Sequence, residues 1–205
     1  MSVGHSNCLA LFDFDGTITN RDTYSTFIKK ITPKWRLFIA MPVLFPFILL
    51  YKKGLISGVF LRSKISKFAF FYVRESFVLE QAFQYVENDI PDYLRDNMMK
   101  RIAWHKISGH RIIVVSASID PYMNLWAQKH GLEIICTELE RCGKFLTGRY
   151  ISRDCSGKEK VRRIKEKLNL NDFHKIYAYG DSSEDSEMLS LADEAFYQGV
   201  AFNIT

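Results

Sequence analysis

Three short stretches of the chain share one pattern: each is apolar without a helical period, and each ends abruptly in polar residues. Cys8 to Phe14 (CLALFDF) is broken by Asp13-Phe14-Asp15-Gly16-Thr17. Arg111 to Ser116 (RIIVVS) follows Gly109 and ends in Ser-Ala-Ser, and Lys175 to Gly180 (KIYAYG) gives way to Asp181-Ser-Ser. Short continuous apolar runs bounded by turn residues read as buried strands. Glu133 to Cys136 adds a further short strand. Between these runs, Tyr122 to His130 reads as a helix closed by Gly131, a residue suited to the left-handed position beyond a helix end. Glu159 to Leu168 reads as another, apolar at Val161, Ile164 and Leu168. Strands alternating with helices predict an α/β fold, a doubly wound Rossmann-like parallel sheet, whose ligands bind outside the carboxyl ends of the strands. The polar strand ends are therefore expected to converge on one crevice.

Residues 20–100 interrupt this alternation with a helix-rich, aromatic and basic stretch that lacks strand punctuation. It is expected to form an inserted helical cap, leaving 1–19 and 101–205 as the Rossmann-like catalytic core. Leu139 to Ile151, with Gly143 and Gly148 among alternating residues, predicts a β-hairpin. The length fits this picture, since 205 residues hold one α/β core with an appendage but not two full domains. A content of 47% hydrophobic and 25% charged residues belongs to a folded protein and excludes a disordered one.

Cys8, Cys136, Cys142 and Cys155 form no CxxC pair and have no histidine at zinc-ligand spacing, which points to free thiols in a reducing compartment. Met1 to Asn7 is small and polar, without the basic and apolar segments of a secretory leader, so a cytoplasmic location is expected. The net charge of +5 is uneven: residues 21–90 hold 11 Lys+Arg against 5 Asp+Glu (+6), and the remaining 135 residues hold 17 against 18 (−1). A basic segment suits anionic lipid, nucleic acid or an acidic substrate.

The chemistry begins at Asp13 and Asp15. Two carboxylates one residue apart at a strand end point the same way if strand geometry persists, and they repel unless a cation or proton lies between them. Asp181, at another strand end, can complete an oxygen-rich site suited to Mg²⁺ rather than zinc.

The segments LFDFDGTIT, VVSAS, GKEKV and YGDSSEDSEML, in this order from Leu11 to Leu189, resemble the four motifs of the haloacid dehalogenase superfamily of phosphotransferases. The resemblance implies that Asp13 attacks phosphorus to form an aspartyl-phosphate and that Asp15 serves as general acid and then base. It implies Mg²⁺ on Asp13, Asp15 and Asp181, with Asp185 supporting the metal waters. It also implies phosphate binding by Ser116, Thr17 and Lys158, with Lys160 as the rival lysine; Ser118 is better placed than Ser116 to cap the following helix. Glu184 departs from the Asn or Asp common before the last acid.

The insertion after the first motif resembles the helical cap of the phosphoserine-phosphatase-like branch. There, an acid nine residues after the nucleophile binds the substrate amine, a position held here by Asp22. The carboxylate-binding Arg is replaced by Lys64, with Arg62 nearby, and a lysine lacks the guanidinium fork. Leu37 to Tyr51 is a 15-residue uncharged stretch flanked by Lys34, Arg36, Lys52 and Lys53. It is short for a membrane span and holds Pro42 and Pro46, leaving a buried cap helix or membrane-surface contact through residues 35–53. In character and position it resembles the same part of bacterial phosphatidylglycerophosphate phosphatases. The expected protein is a magnesium-dependent phosphomonoester phosphatase, cytoplasmic or peripheral to the inner face of the membrane, acting on a small phosphorylated metabolite or a lipid phosphate. The alternative is a noncatalytic membrane- or nucleic-acid-binding module using the basic cap. No nucleic-acid partner is expected, because no recognition helix or RNA-binding motif is visible.

Overall fold

The structure, a computed structural model, describes residues 7–202. Met1 to Ser6, which hold nearly all of the segment read above as leaderless, lie outside the described residues. Strand β1 (Cys8–Phe12) pairs in parallel with β3 (Arg111–Ile119) on one side and β7 (Lys175–Gly180) on the other. Beyond them lie β4 (Glu133–Thr137) and β8 (Glu194–Tyr197), also parallel, and β9 (Val200–Phe202) closes the β8 edge antiparallel. The order β4-β3-β1-β7-β8-β9 is that of a doubly wound α/β sheet.

Alternation along the strands explains why all three predicted runs are apolar throughout. Ala10 and Phe12, Ile112 and Val114, and Tyr179 face one apolar cluster, whereas Leu9 and Leu11, Ile113 and Val115, and Ile176 and Ala178 face the other. A strand covered on both faces needs no polar positions. The first cluster is covered by helices α1 (Thr23–Ile31), α4 (Glu75–Asn88), α5 (Asp96–Ile107) and α6 (Asp120–Lys129), through Phe27, Tyr85, Ile102 and Trp126 among others. The second lies under α7 (Lys158–Lys167) and the short α8 (Ser186–Leu189), which contribute Ile164, Met188 and Leu189. Helix α5 runs straight through residue 100, the expected end of the cap.

The remaining helices are α2 (Lys34–Lys52) and α3 (Gly58–Phe70). Beside α3 lies a second sheet of order β2-β6-β5, formed by β2 (Val73–Arg74), β5 (Leu139–Cys142) and β6 (Phe145–Tyr150); the antiparallel β5–β6 pair occupies the stretch read as a hairpin. Gly148 lets β6 approach α3 this closely, since a Cβ there would sit 2.7 Å from the Lys67 Cα.

The reading of Leu37–Tyr51 as a buried cap helix is overturned. In α2 only Ala40 and Leu44 are buried, and the helix is long and apolar enough to cross a membrane by length and composition. Pro42 and Pro46 do not end it. They stand four residues apart, so both fall on one face of the helix, and both are exposed. The carbonyls they leave without an N–H partner, those of Phe38 and Pro42, can then be solvated.

Candidate active site

The strand register brings the polar ends together. Phe12 pairs with Val114 and with Tyr179, so the residues just beyond, Asp13, Ser116 and Asp181, meet at one edge of the sheet. The Asp13 N–H donates to the Tyr179 carbonyl at 2.9 Å, which fixes the backbone at the strand exit. The chain then turns sharply through Gly16 at φ +83°. A Cβ on Gly16 would lie 2.1 Å from an Asp181 carboxylate oxygen; the turn therefore needs glycine both for its dihedral and for the closeness of Asp181.

A buried lysine organises the acids. Lys160 is 1% exposed, and its Nζ donates to Asp13 Oδ1 at 2.5 Å and to Asp185 Oδ1 at 2.6 Å. The other Asp185 oxygen accepts from the Asp181 and Ser182 backbone N–H groups and from the Ser182 hydroxyl. Asp13, Asp181 and Asp185 each present an oxygen within 4.8 Å of the others. Among the described residues, Asp181 accepts from the Thr17 hydroxyl at 3.3 Å and has no ion-pair partner. Three clustered oxygen donors, one without a counter-charge, fit a hard divalent cation.

Asp15 points elsewhere. Its carboxylate accepts from the Thr23 backbone N–H at 2.7 Å and from the hydroxyls of Thr23 and Ser118. Tyr122 donates to Ser118 at 2.6 Å and lies 3.0 Å from the Thr23 hydroxyl. The Asp15 carboxylate thus sits outside the group of carboxylates that could share a cation, so the metal contact expected of Asp15 is not one made through its side chain in this geometry. Ser118 is corrected too: its hydroxyl goes to Asp15, and α6 has no side-chain cap. Ser116 is fully buried, and its Oγ accepts from the Ser118 N–H at 3.0 Å.

The two acids of the first motif differ electrostatically. Burial pushes Asp13 up to about 8 against the pull of Lys160, and a cation bound at the cluster would lower it. Burial also raises Asp15, to about 6, partly offset by its hydrogen bonds from Ser118 and Thr23. Asp181 is raised by burial and by the nearby Asp185. Burial acts in the same direction on Asp185, but Lys160 and the backbone donors outweigh it and hold the carboxyl below its ordinary value. Burial would lower Lys160, yet Asp13 and Asp185 outweigh that and keep it charged.

Asp13, Asp15, Ser116 and Lys160 line a cavity of about 210 Å³ whose other walls include Asp22, Tyr51, Arg62 and Glu184. Lys158 is absent from it. That side chain is exposed and lines a separate hollow with Lys64, so the lysine at the site is Lys160, and Lys64 does not face the cavity. Thr17 borders a neighbouring cavity on the far side of Asp181. Asp22 reaches the cavity wall but spends its carboxylate capping α1, through Ser25 N and Oγ at 3.0 and 2.6 Å. Arg62 is also committed: it donates to both Asp154 oxygens at 2.7 and 3.0 Å and to Glu184 at 3.0 Å. Burial opposes the Arg62 charge, but Asp154 and Glu184 raise it further. Ser118, Thr23 and Tyr122, which surround Asp15, were not singled out from sequence as site residues. The Ser-Ala-Ser spacing was the available signal, because alternate residues of a strand share a face.

The profile of the family described as haloacid dehalogenase-like hydrolase matches residues 10–190. Protein CicA of Caulobacter vibrioides is 28% identical over 202 residues, covering 96% of this chain and 88% of that protein. A protein of unknown function from Bordetella pertussis Tohama I has a similar structure, with a TM-score of 0.75 at 20% identity, covering 93% of this chain and 89% of the other. A substrate-bound phosphoserine phosphatase gives 0.62 at 18% identity over 93% and 85%. At these identities the structural likeness is one of fold.

Proposed function

The chain belongs to the haloacid dehalogenase-like hydrolases, and on that premise we propose that it is a magnesium-dependent phosphomonoester phosphatase working through Asp13. The observation that carries this reading is the contrast between Asp13 and Asp15 in one cavity. Asp13 is held by a buried ammonium, whereas Asp15 is held by hydroxyls and one backbone N–H. Two carboxyl groups in different surroundings suit two roles, nucleophile and proton carrier.

Lys160 occupies Oδ1 of Asp13, leaving Oδ2 to attack phosphorus. The bond to the leaving oxygen breaks as the Asp13–phosphorus bond forms, and Asp15 gives its proton to the departing alkoxide. The Asp15 carboxylate then takes a proton from a water that attacks the aspartyl-phosphate, releasing phosphate and restoring Asp13. Ser116 and Lys160 supply fixed donors beside the phosphoryl oxygens. Asp13 and Asp181, with Asp185 behind them, would hold Mg²⁺, which when bound neutralises and orients the phosphate.

The substrate is a phosphorylated small molecule or a lipid phosphate. Arg62 serves to fix the cavity wall, because its Nε and Nη2 groups are taken by Asp154 and Glu184. The test is phosphate release from a panel of phosphomonoesters with and without Mg²⁺, by wild type and Asp13→Asn. Turnover that needs both the metal and Asp13 is expected. Metal-independent turnover, or turnover that survives Asp13→Asn, overturns the reading.

A further inference from the structure

Helix α2 presents an apolar face that none of the described residues covers. Phe38 is 81% exposed, Ile39 61% and Phe45 52%, with Met41, Val43 and Leu49 also open to solvent. Apolar patches of this extent on a folded chain mark interaction surfaces. The helix is fixed along its length to α3. Near its start, Arg36 donates to the Ala69 and Phe71 carbonyls at 2.9 and 3.0 Å; near its end, the Phe47 ring lies 5.7 Å from that of Phe60. Helix α2 therefore runs antiparallel along α3 with its other side free, a geometry for lying on a surface rather than passing through one.

The charge on this stretch of chain is of one sign. From Thr23 to Arg74 the sequence holds ten Lys and Arg and no Asp or Glu. Lys34, Lys52 and Lys53 stand exposed at the two ends of α2, and Trp35 and Tyr51, whose rings suit the boundary between water and lipid, are exposed beside them. Phe60 carries the apolar face onward: the Lys64 ammonium lies 4.8 Å above its ring. Both border a hollow that also holds Lys67, Arg149 and Arg153, where the acids Asp154 and Glu159 are buried and paired with arginines. An apolar strip edged by lysines, on a stretch of chain without acids, is complementary to an anionic lipid surface, where the strip enters the headgroup boundary and the lysines meet the headgroups.

We propose that α2 and its basic borders dock this protein onto an anionic bilayer, with the helix lying in the interfacial plane. Tyr51, at the end of the docked helix, also lines the catalytic cavity, so the cavity mouth adjoins the docked face.

The experiment is flotation of the full chain with vesicles of phosphatidylcholine alone and of an equimolar mixture with phosphatidylglycerol. Binding to the mixed vesicles is expected, at least tenfold stronger than to phosphatidylcholine. Replacing two membrane-facing lysines (Lys52→Gln with Lys53→Gln) should weaken it about 25-fold, or about fivefold per charge. Phe38→Asp with Ile39→Asp should weaken it at least about 50-fold. These variants should keep wild-type thermal stability and wild-type turnover of a soluble phosphomonoester, and Asp13→Asn should float as wild type does, which separates docking from catalysis. Failure to float, equal binding to both vesicle types, or undiminished binding by the α2 variants overturns the proposal. So does a dimer that the α2 variants dissolve, or uptake of nucleic acid in place of vesicles.

Discussion

Replacing Lys160 with Met removes the charge on which two buried carboxylates depend. Asp13 is 6% exposed, Asp185 1% and Lys160 1%, and the ammonium contacts both acids at 2.5 and 2.6 Å. Removing one partner of a buried ion pair costs about 3–5 kcal/mol, because the charges left behind are uncompensated. For a chain of this size each kcal/mol moves the melting temperature by about 2–4 °C, so Lys160→Met should melt about 6–20 °C below wild type near neutral pH. The deficit should narrow on acidification: without the ammonium, the facing carboxyls take up protons well above the ordinary carboxylate range. In the wild type the opposite holds for Asp185, whose lowered pKa contributes stability that is present above pH ~4 and lost as the pH falls further. Lys158→Met, at an exposed position, should stay within about 0.5 kcal/mol. Calorimetric melts of both variants at two pH values decide the matter. A Lys160 variant that melts with the wild type, or a Lys158 variant that falls further, refutes the assignment.

Asp15→Asn should lower turnover about 10²- to 10⁴-fold while stabilising the fold near neutrality. Because the Asp15 pKa is raised to about 6 in the folded state, its protonated form favours folding, and that contribution is lost as pH rises from ~4 to ~6; melts showing no gain at neutral pH over pH 4 would contradict the shift. Gly16→Ala pushes a Cβ to within 2.1 Å of the Asp181 carboxylate, so the Mg²⁺ concentration for half-maximal phosphate release should rise at least about tenfold, and an unchanged magnesium titration would exclude Asp181 as a ligand. Arg62→Lys keeps the charge but loses the fork that pairs both Asp154 oxygens, and urea unfolding should register a loss of about 1–3 kcal/mol.

The sheet and its convergent strand ends were legible in the sequence because apolar runs covered on both faces carry their own signature, and because the turn residues after Phe12, Val115 and Gly180 mark where each run stops. Lys160 was harder to choose. The family resemblance favoured Lys158, but helical periodicity decides: Lys160, Ile164 and Leu168 recur every four residues on one face of the α7 segment, and Lys158 falls off it. The exposure of α2 was beyond reach, since an apolar stretch reads alike whether it packs on a core or faces outward. The commitments of Arg62 and Asp22 were equally hidden, because Asp154 and Glu184 lie far along the chain and pair with Arg62 only after folding. The surroundings of Asp15 were half visible, in the strand spacing of Ser116 and Ser118, whereas Thr23 and Tyr122 join only through the packing of α1 and α6.

The guanidinium of Arg62 ties together three distant pieces of chain: α3, the loop before α7, and the turn after β7. Selectivity at this cavity is therefore epistatic. Changing Arg62 alone strands the buried Asp154, and changing Asp154 alone leaves the half-buried guanidinium with Glu184 as its one acid, so each single step is penalised even where the double replacement would be tolerated. A library of single substitutions would find this wall inert. New specificities here should be reached by replacing Arg62, Asp154 and Glu184 together, and relatives that differ at one of these positions should differ at the others.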